Sequence, residues 1–321
     1  MTYHRRILYC LLVFTASYTH AGEWNQWLGP HRNGVAVDSP ALIESLPDRG
    51  IKPNWIANQD TIPGISTSGW ASPIVTEDYV LLFTHKKTKT IEGKLPPVKF
   101  PYLPPEKRTE MTDEEYKQYE VNRRDEQQRR ARSYRYDEFL YCLNRNNGKL
   151  VWSNEHSSVY TRFAQSASPT VNEGRVFLQS AGRLARCVDL STGEEIWKTQ
   201  IPGEFRDEYL QSSFLVVRNI AITLSRGLIA FDADNGDILW QNDNEDGAVS
   251  HCSPAIWNSP DGPVVICNTG GGDTKAVLAS TGETIWELSV GANHSSPLVF
   301  EDKLILYSNS RKNGLLCFEL N

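Results

Sequence analysis

The sequence lacks the short motifs that identify several large enzyme classes. Its 321 residues contain no GxSxG elbow, no HExxH motif and no nucleotide-binding loop that opens a helix. The glycine-rich TGGGDTK, residues 269–275, follows a predicted strand and therefore indicates a hairpin connection. Charge of one sign is not gathered in a block, and the formal net charge is −6. Nucleic acid is therefore not an expected partner.

A long apolar run is also missing at the N-terminus. The apolar stretch there extends only from Ile7 to about Tyr18, after Arg5 and Arg6, and Thr19, His20 and Ala21 follow it at the expected cleavage site. Such a stretch is too short to span a bilayer comfortably, so it favours a signal peptide over residues 1–21 instead of a membrane anchor. We predict an exported protein, periplasmic or secreted, that meets the membrane only through export.

Cysteine is scarce, and its spacing does not indicate a disulfide framework. Of the six cysteines, Cys10 lies in the predicted signal peptide. Cys142, Cys187 and Cys317 occupy equivalent places in separate copies of a repeat, so we expect them to be buried thiols. Cys252 and Cys267 flank the turn NSPDGP as diagonal neighbours; a bridge between them is open but not favoured.

What the chain does contain is an internal repeat. Four segments combine a turn with a final Trp: LNRNNGKLVW at Trp152, VDLSTGEEIW at Trp197, FDADNGDILW at Trp240 and VLASTGETIW at Trp286. Gly and Trp are four positions apart in each segment, and successive Trp residues are 45, 43 and 46 positions apart. A nearly constant period of this length predicts an array of similar structural units.

A second element recurs in step with the first. Ser followed by Pro or Phe precedes an apolar segment in five places, at Pro73, Pro169, Phe214, Pro254 and Pro297. Each unit then contains four short segments of period two and no clear helix. Four antiparallel strands per repeat make a propeller blade. The sequence therefore predicts an all-β propeller over residues 22–321, with about five four-stranded blades.

The turn and the Trp of the repeat have structural explanations. An Asx turn at Asp189 and a positive φ at Gly193 would form a short hairpin loop. A large aromatic residue at one fixed place per blade would bury much area against the next blade. We assign the four repeated indoles to blade docking instead of cofactor stacking: Trp152, Trp197, Trp240 and Trp286.

These residues resemble the tryptophan-docking motif of quinoprotein, or PQQ-type, β-propellers, from about Trp55 to the C-terminus. WNQWLGPHRNGV, residues 24–35, is also similar to the entry segment of exported PQQ-like repeat proteins. The resemblance implies pyrroloquinoline quinone (PQQ), calcium, an aspartate base and, in the alcohol dehydrogenases, two adjacent cysteines. The chain has no Cys-Cys pair and no CxxCH haem site. We therefore expect no cofactor, with PQQ and calcium as the alternative.

An insertion interrupts the first blade between its second and third strands. It covers residues 85–137 and is first Pro-rich and then strongly charged. The charged part begins with a capping-box pattern, Thr112 with Glu115, and predicts a helix from about Asp113 to Arg132. We expect the arginines of this helix to face solvent instead of forming a docking surface.

The two ends of the array are irregular. The last blade has three predicted strands, and Trp55 lies on an unpartnered strand before the first blade. The family resemblance implies seven or eight blades, so we expect an incomplete, open ring. The alternative is a ring closed by pairing of the Trp55 strand with the segment near Cys317.

Candidate ligand-binding residues lie just before the recurring Ser-Pro element. If this element is the innermost strand of each blade, equivalent places form a ring at the channel mouth. The candidates are Trp70, Gln165, Ser166, Gln211, His251, Asn293 and His294. Their varied identities suit polar recognition, and the alternative is that they only cap strand ends. His251 and His294 provide fewer ligands than zinc requires, so we predict no metal site. We also predict no catalytic residue.

Two functions fit these observations. Intact repeats without the expected cofactor chemistry favour an exported, non-catalytic scaffold that binds a protein or a small polar ligand at the channel. The alternative is a PQQ-dependent oxidoreductase acting on an alcohol or sugar, or a degenerate or truncated relative of one. The two functions differ in whether the protein binds PQQ and calcium and then oxidises a substrate.

Overall fold

The strands form the predicted propeller blades in a computed structural model. The structure describes residues 22–36, 39, 41, 44–48, 50–58, 60–62, 71–159, 166–203, 212–243, 251–270, 272–292, 295–308 and 312–320. The signal peptide predicted over residues 1–21 lies outside this part of the chain. No helix among the described residues is long and apolar enough to cross a membrane.

Five antiparallel sheets follow one another along the chain, and each is one blade. Blade 1 comprises β1 Ile74–Val75, β2 Tyr79–Lys89, β3 Tyr134–Asn144 and β4 Leu150–Val159. Blade 2 comprises β5 Thr170–Asn172, β6 Arg175–Ser180, β7 Leu184–Asp189 and β8 Glu195–Gln200. Blade 3 comprises β9 Leu215–Val217, β10 Ile220–Leu224, β11 Leu228–Asp232 and β12 Ile238–Asn242. Blade 4 comprises β13 Ala255–Ser259, β14 Gly262–Gly270, β15 Asp273–Leu278 and β16 Thr284–Ser289, and blade 5 comprises β17 Leu298–Phe300, β18 Lys303–Tyr307 and β19 Leu315–Glu319.

Hydrophobic clusters join consecutive blades. Leu81 and Cys142 of blade 1 pack with Val176 of blade 2, and equivalent clusters join each later pair of blades. Cys142 and Cys187 are buried in these clusters, as expected. Cys317 is exposed, so that expectation was wrong. Its neighbours Leu316 and Phe318 pack in the cluster with blade 4, so Cys317 lies on the opposite face of β19, where no blade among the described residues covers it.

Three of the docking Trp residues, Trp152, Trp197 and Trp240, each lie on the glycine turn of the following blade. Trp152 donates its indole N–H to the Leu190 carbonyl at 3.0 Å, and its ring lies against Gly193. Trp197 and Trp240 repeat this arrangement on Gly236 and Gly282. Trp286 is partly buried and packs in the cluster between blades 4 and 5.

The glycine turn itself has the Asx geometry expected at Asp189. The Asp189 carboxylate accepts hydrogen bonds from the backbone N–H groups of Ser191 and Thr192, both at 2.9 Å. Gly193 follows with a φ of +74°, in the left-handed region that favours glycine. The carboxylate thus satisfies donors that the tight loop would otherwise leave unpaired.

The insertion of blade 1 is shorter than predicted, because β2 and β3, with 11 residues each, continue into the segment predicted as insertion. It runs from residue 90 to residue 133 and contains a 3₁₀ turn, Pro105–Lys107, and one helix, α1 Asp113–Ala131. Thr112 and Glu115 form the predicted capping box. Glu126 anchors the Pro-rich part, since its carboxylate accepts hydrogen bonds from the N–H groups of Lys99 and Phe100.

The described blades form an arc and not a closed ring. Trp55 lies against Gly148 and donates its indole N–H to the Arg145 carbonyl at 2.8 Å. It therefore docks on blade 1 in the same way as Trp152 docks on blade 2. Within the described residues, no strand pairs with the outer edge of β19.

Candidate binding site

The innermost strands of the five blades are tied together by serine hydroxyls. Ser168 donates its backbone N–H to the Ser213 Oγ at 2.9 Å, and Ser213 donates in the same way to Ser253 at 2.9 Å. The same bond links Ser72 to Ser168 and Ser253 to Ser296. Each serine thus stands immediately before the Pro or Phe of its blade and bridges two blades. This serine ladder fixes the spacing of the inner strands.

The segment from Trp24 to Val35 crosses these inner strands on one face. Trp24 forms a β-bridge with Val75 of blade 1, and Asn25 exchanges hydrogen bonds with Val171 of blade 2. Arg32 then reaches the inner strands of blades 3 and 4. Four blades are therefore contacted by one short stretch of chain, which we call the entry loop.

Arg32 anchors the entry loop. Its Nε donates to the Pro254 carbonyl at 2.7 Å, and its Nη1 donates to the Phe214 carbonyl at 2.7 Å and to Gln26 Oε1 at 3.0 Å. The side chain is fully buried, and this burial lowers the pKa of Arg32 to about 9. Carbonyl oxygens from two blades and a side-chain amide satisfy the guanidinium in place of a counter-ion.

The entry loop has a strained, defined conformation. Leu28 and Arg32 have φ values of +61° and +52°, which cost a non-glycine residue energy. Gly29, at +79°, lies under the Trp24 ring, and a Cβ there would come within 2.8 Å of it. Such strain persists only where the surroundings enforce it, and here Arg32 and Trp24 do so.

A cavity of about 600 Å³ lies between the entry loop and the inner strands of blades 3 to 5. Its described lining comes from the entry loop, from β9, β13 and β17, and from the turn after β17: Gln26, Pro30, His31, Asn33, Leu215, Val216, Ile256, Trp257, Asn258, Val299, Phe300, Glu301 and Asp302. This lining combines apolar side chains with amides and two carboxylates.

The wall formed by blades 4 and 5 carries aromatic and acidic groups. Trp257 donates its indole N–H to the Asp302 carboxylate at 3.0 Å, which holds both side chains in place. Phe300 is 45% exposed, and Glu301 is also exposed. An apolar ring beside carboxylates is suited to a ligand group that pairs an apolar body with a positive charge.

The residues predicted to ring the channel mouth are mostly outside the described part of the chain. Those outside it are Trp70, Gln165, Gln211, Asn293 and His294. Ser166 and His251 are half-buried in blades 2 and 4, with blade 3 between them. Both precede the inner strands, whereas the cavity lies at the ends of inner strands. Ser166 and His251 are not among the residues that line this cavity.

Sequence reasoning missed Arg32 and the serine ladder. One signal for the ladder was present, because a serine directly precedes the Pro or Phe in all five blades. Another signal was the run GPHRNG, residues 29–34, whose two glycines and one proline indicate a structured turn. Nothing in the local sequence marks Arg32 as buried.

A second polar cluster is buried between blades 1 and 2. His85, Glu138 and His156 are cross-strand partners on β2, β3 and β4. Glu138 accepts a hydrogen bond from the Ala181 backbone at 2.9 Å, and burial raises the pKa of Glu138 to about 7. Burial also lowers the pKa of His85 to about 4 and lowers that of His156. The three lie in a row instead of converging, and they form no group that could hold a metal.

The cofactor that the fold family implies does not fit the cavity under the entry loop. PQQ carries several carboxylates, yet none of the described lining residues is Lys or Arg, and Glu301 and Asp302 would repel it. The Arg32 guanidinium is already bonded to protein carbonyls. Calcium takes six to eight oxygen ligands, largely from carboxylates, and the described residues contain no group of three or more His, Cys, Asp or Glu side chains that could hold a metal ion.

The tryptophan-docked blades define this protein as a PQQ-like β-propeller. Residues 137–321 match the family model described as outer membrane protein assembly factor BamB, and the chain belongs to that family.

The curated relatives are distant and longer. A tetrathionate hydrolase of Acidithiobacillus ferrooxidans is 26% identical over 173 residues, which are 49% of this chain and 32% of that protein. The quinoprotein alcohol dehydrogenase PedH of Pseudomonas putida is 25% identical over 183 residues, 52% of this chain and 30% of that protein. The chain thus spans about a third of the length of these relatives.

Among solved structures, BamB from Moraxella catarrhalis aligns with 57% of this chain and 64% of its own. The identity is 18% and the TM-score 0.39.

Proposed function

We propose that this protein is an exported, non-catalytic scaffold that binds a protein partner at the cavity under the entry loop. The observation that carries the proposal is the construction of that cavity. Arg32 fastens the entry loop across two blades, so one wall of the cavity is fixed in place before any partner arrives. Preorganisation of this kind reduces the ordering cost of binding.

The lining favours a partner segment with an apolar side chain next to Lys or Arg. Phe300 and Trp257 provide apolar surface, and Glu301 and Asp302 provide negative charge. The amides of Gln26, Asn33 and Asn258 add hydrogen-bonding groups along the same cavity. The description of the family as an outer membrane protein assembly factor supports a protein partner over a small molecule.

The alternative function is a PQQ-dependent oxidoreductase. The likeness to the quinoprotein alcohol dehydrogenase PedH favours it. The acidic lining of the cavity and the missing Cys-Cys pair weigh against it. We therefore keep the scaffold as the proposed function.

Site-specific photo-cross-linking tests the proposal in cells that produce the full chain. A photoreactive residue replaces Asn258 in the cavity, and a matched variant carries it at Glu194, which is exposed on the outer turn of blade 2. The scaffold predicts a discrete protein adduct from position 258 and none from position 194. Equal labelling at both positions, or no adduct from position 258, would contradict the proposal.

A further inference from the structure

Two cysteine thiols meet inside blade 4. Cys267 lies on β14, opposite Pro254 by continuation of the register that pairs Ala255 with Ile266, and Cys252 lies diagonally across from it. The two Sγ atoms are 3.2 Å apart, and both side chains are fully buried. The diagonal placement expected from the turn is therefore correct, and it brings the sulfur atoms into contact.

We propose that Cys252 and Cys267 form a disulfide that links the start of the inner strand of blade 4 to its second strand. A disulfide requires a sulfur separation of about 2.05 Å, so the sulfurs must approach by only about 1 Å. The other described cysteines have no such neighbour: Cys142 and Cys187 are buried in different interblade clusters, and Cys317 is exposed.

The oxidant is a disulfide-containing compound, such as a low-molecular-weight disulfide. One cysteine, as the thiolate, attacks the oxidant disulfide and releases one thiol. The second cysteine then attacks the mixed disulfide and releases the other thiol. The cysteine pair loses two electrons and two protons, and the oxidant becomes two thiols. Because both sulfurs are buried beneath the entry loop, this exchange takes place while blade 4 is open, before Arg32 closes on Pro254.

The bond would hold the strand that carries the cavity wall. β13 begins directly after Pro254, and Ile256, Trp257 and Asn258 of the same strand line the cavity. Cross-linking residues 15 positions apart reduces the freedom of the unfolded chain. For a chain of this size we expect the oxidised protein to melt about 5 °C or more above the reduced protein.

The test uses the full chain, purified with a reductant and then incubated with oxidised glutathione in urea just below the unfolding transition. Alkylation after denaturation, followed by peptide mass analysis, reads out the thiols. We expect a peptide pair joined through Cys252 and Cys267 that is about 2 Da lighter than the sum of its two unalkylated peptides, and a reductant should reverse this mass loss. Alkylation of both cysteines after this oxidation would overturn the proposal.

Variants separate this pair from the other thiols. Cys252→Ala and Cys267→Ala should abolish the mass loss, whereas Cys317→Ala and Cys142→Ala should retain it. A mass loss that persists in Cys252→Ala would overturn the proposal.

Because a disulfide in cells depends on the proposed export, the protein is also isolated from cells with its thiols trapped by alkylation. A linked pair in these samples supports both the disulfide and the proposed export. Linkage by glutathione alone supports the disulfide geometry and contradicts export to an oxidising compartment.

Discussion

The Trp152 ring occupies the space that a side chain at Gly193 would need. A Cβ on Gly193 would lie 2.4 Å from Trp152 Cε3, and the equivalent contacts recur between Trp197 and Gly236 and between Trp240 and Gly282. The turn glycine therefore serves two purposes, since it allows a positive φ and admits the indole of the preceding blade.

Gly193→Ala should destabilise the protein more than a control with the same backbone strain. Gly174 has a φ of +75°, almost equal to the +74° of Gly193, but nothing lies within 4 Å of its missing Cβ. Gly174→Ala should therefore cost about 1 kcal/mol of unfolding free energy, and Gly193→Ala should cost roughly 3 kcal/mol, because the indole must also move. Urea denaturation of both variants measures the difference, and equal losses would contradict the docking role of Trp152.

The serine ladder predicts a cost for removing one hydroxyl. Ser213→Ala leaves the buried Ser168 N–H without its acceptor and should lower the free energy of unfolding by about 1–3 kcal/mol. The exposed Ser280 is the control, and Ser280→Ala should change the free energy of unfolding by less than about 0.5 kcal/mol. Thermal and urea denaturation measure both variants; a neutral Ser213→Ala would show that the ladder is not stabilising.

The buried Glu138 predicts a pH dependence of stability. Its pKa is raised from 4.5 to about 7, so between these values the native state holds a proton that the unfolded chain has released. Its contribution to stability is therefore lost as the pH rises from about 4.5 to about 7. Glu138→Gln should be stabilised relative to the parent at pH 8 more than at pH 5, as measured by melting temperature. Glu173→Gln, at an exposed position, should show no such difference.

The PQQ-dependent oxidoreductase and the non-catalytic scaffold predict different results in a titration with PQQ and calcium. Because the lining of the cavity is acidic, we expect no saturable absorbance change at micromolar PQQ and no dye-linked oxidation of alcohols or sugars. Stoichiometric binding together with turnover would show that the protein is an oxidoreductase. A soluble quinoprotein dehydrogenase, loaded in the same way, is the positive control.

The sequence was sufficient for the blades but not for the site. The Gly-Trp spacing predicted the repeating sheets, because docking one blade on the next needs the same two residues in each copy. The cavity depends instead on Arg32, which bonds to carbonyls of Phe214 and Pro254, about 200 positions away. Every residue type has a backbone carbonyl, so a contact with one could not be predicted from the sequence.

The cysteine pair shows the same limit on a smaller scale. The turn between Cys252 and Cys267 predicted diagonal neighbours, and the structure has them. The sulfur separation of 3.2 Å depends on the side-chain rotamers, and the Cys252 thiol also donates to the Asn268 carbonyl at 2.9 Å. Strand register follows from sequence pattern more readily than side-chain direction does.

The most direct test of the central claim is the cross-linking yield from position 258 with and without the Arg32 anchor. Arg32→Met removes the hydrogen bonds that fasten the entry loop, whereas Arg218→Met alters an exposed arginine and is the control. If the preformed cavity binds a protein partner, the adduct from position 258 should fall at least about fivefold in Arg32→Met and stay unchanged in Arg218→Met, equivalent to about 1 kcal/mol of binding energy. An undiminished adduct in a folded Arg32→Met protein would contradict the account.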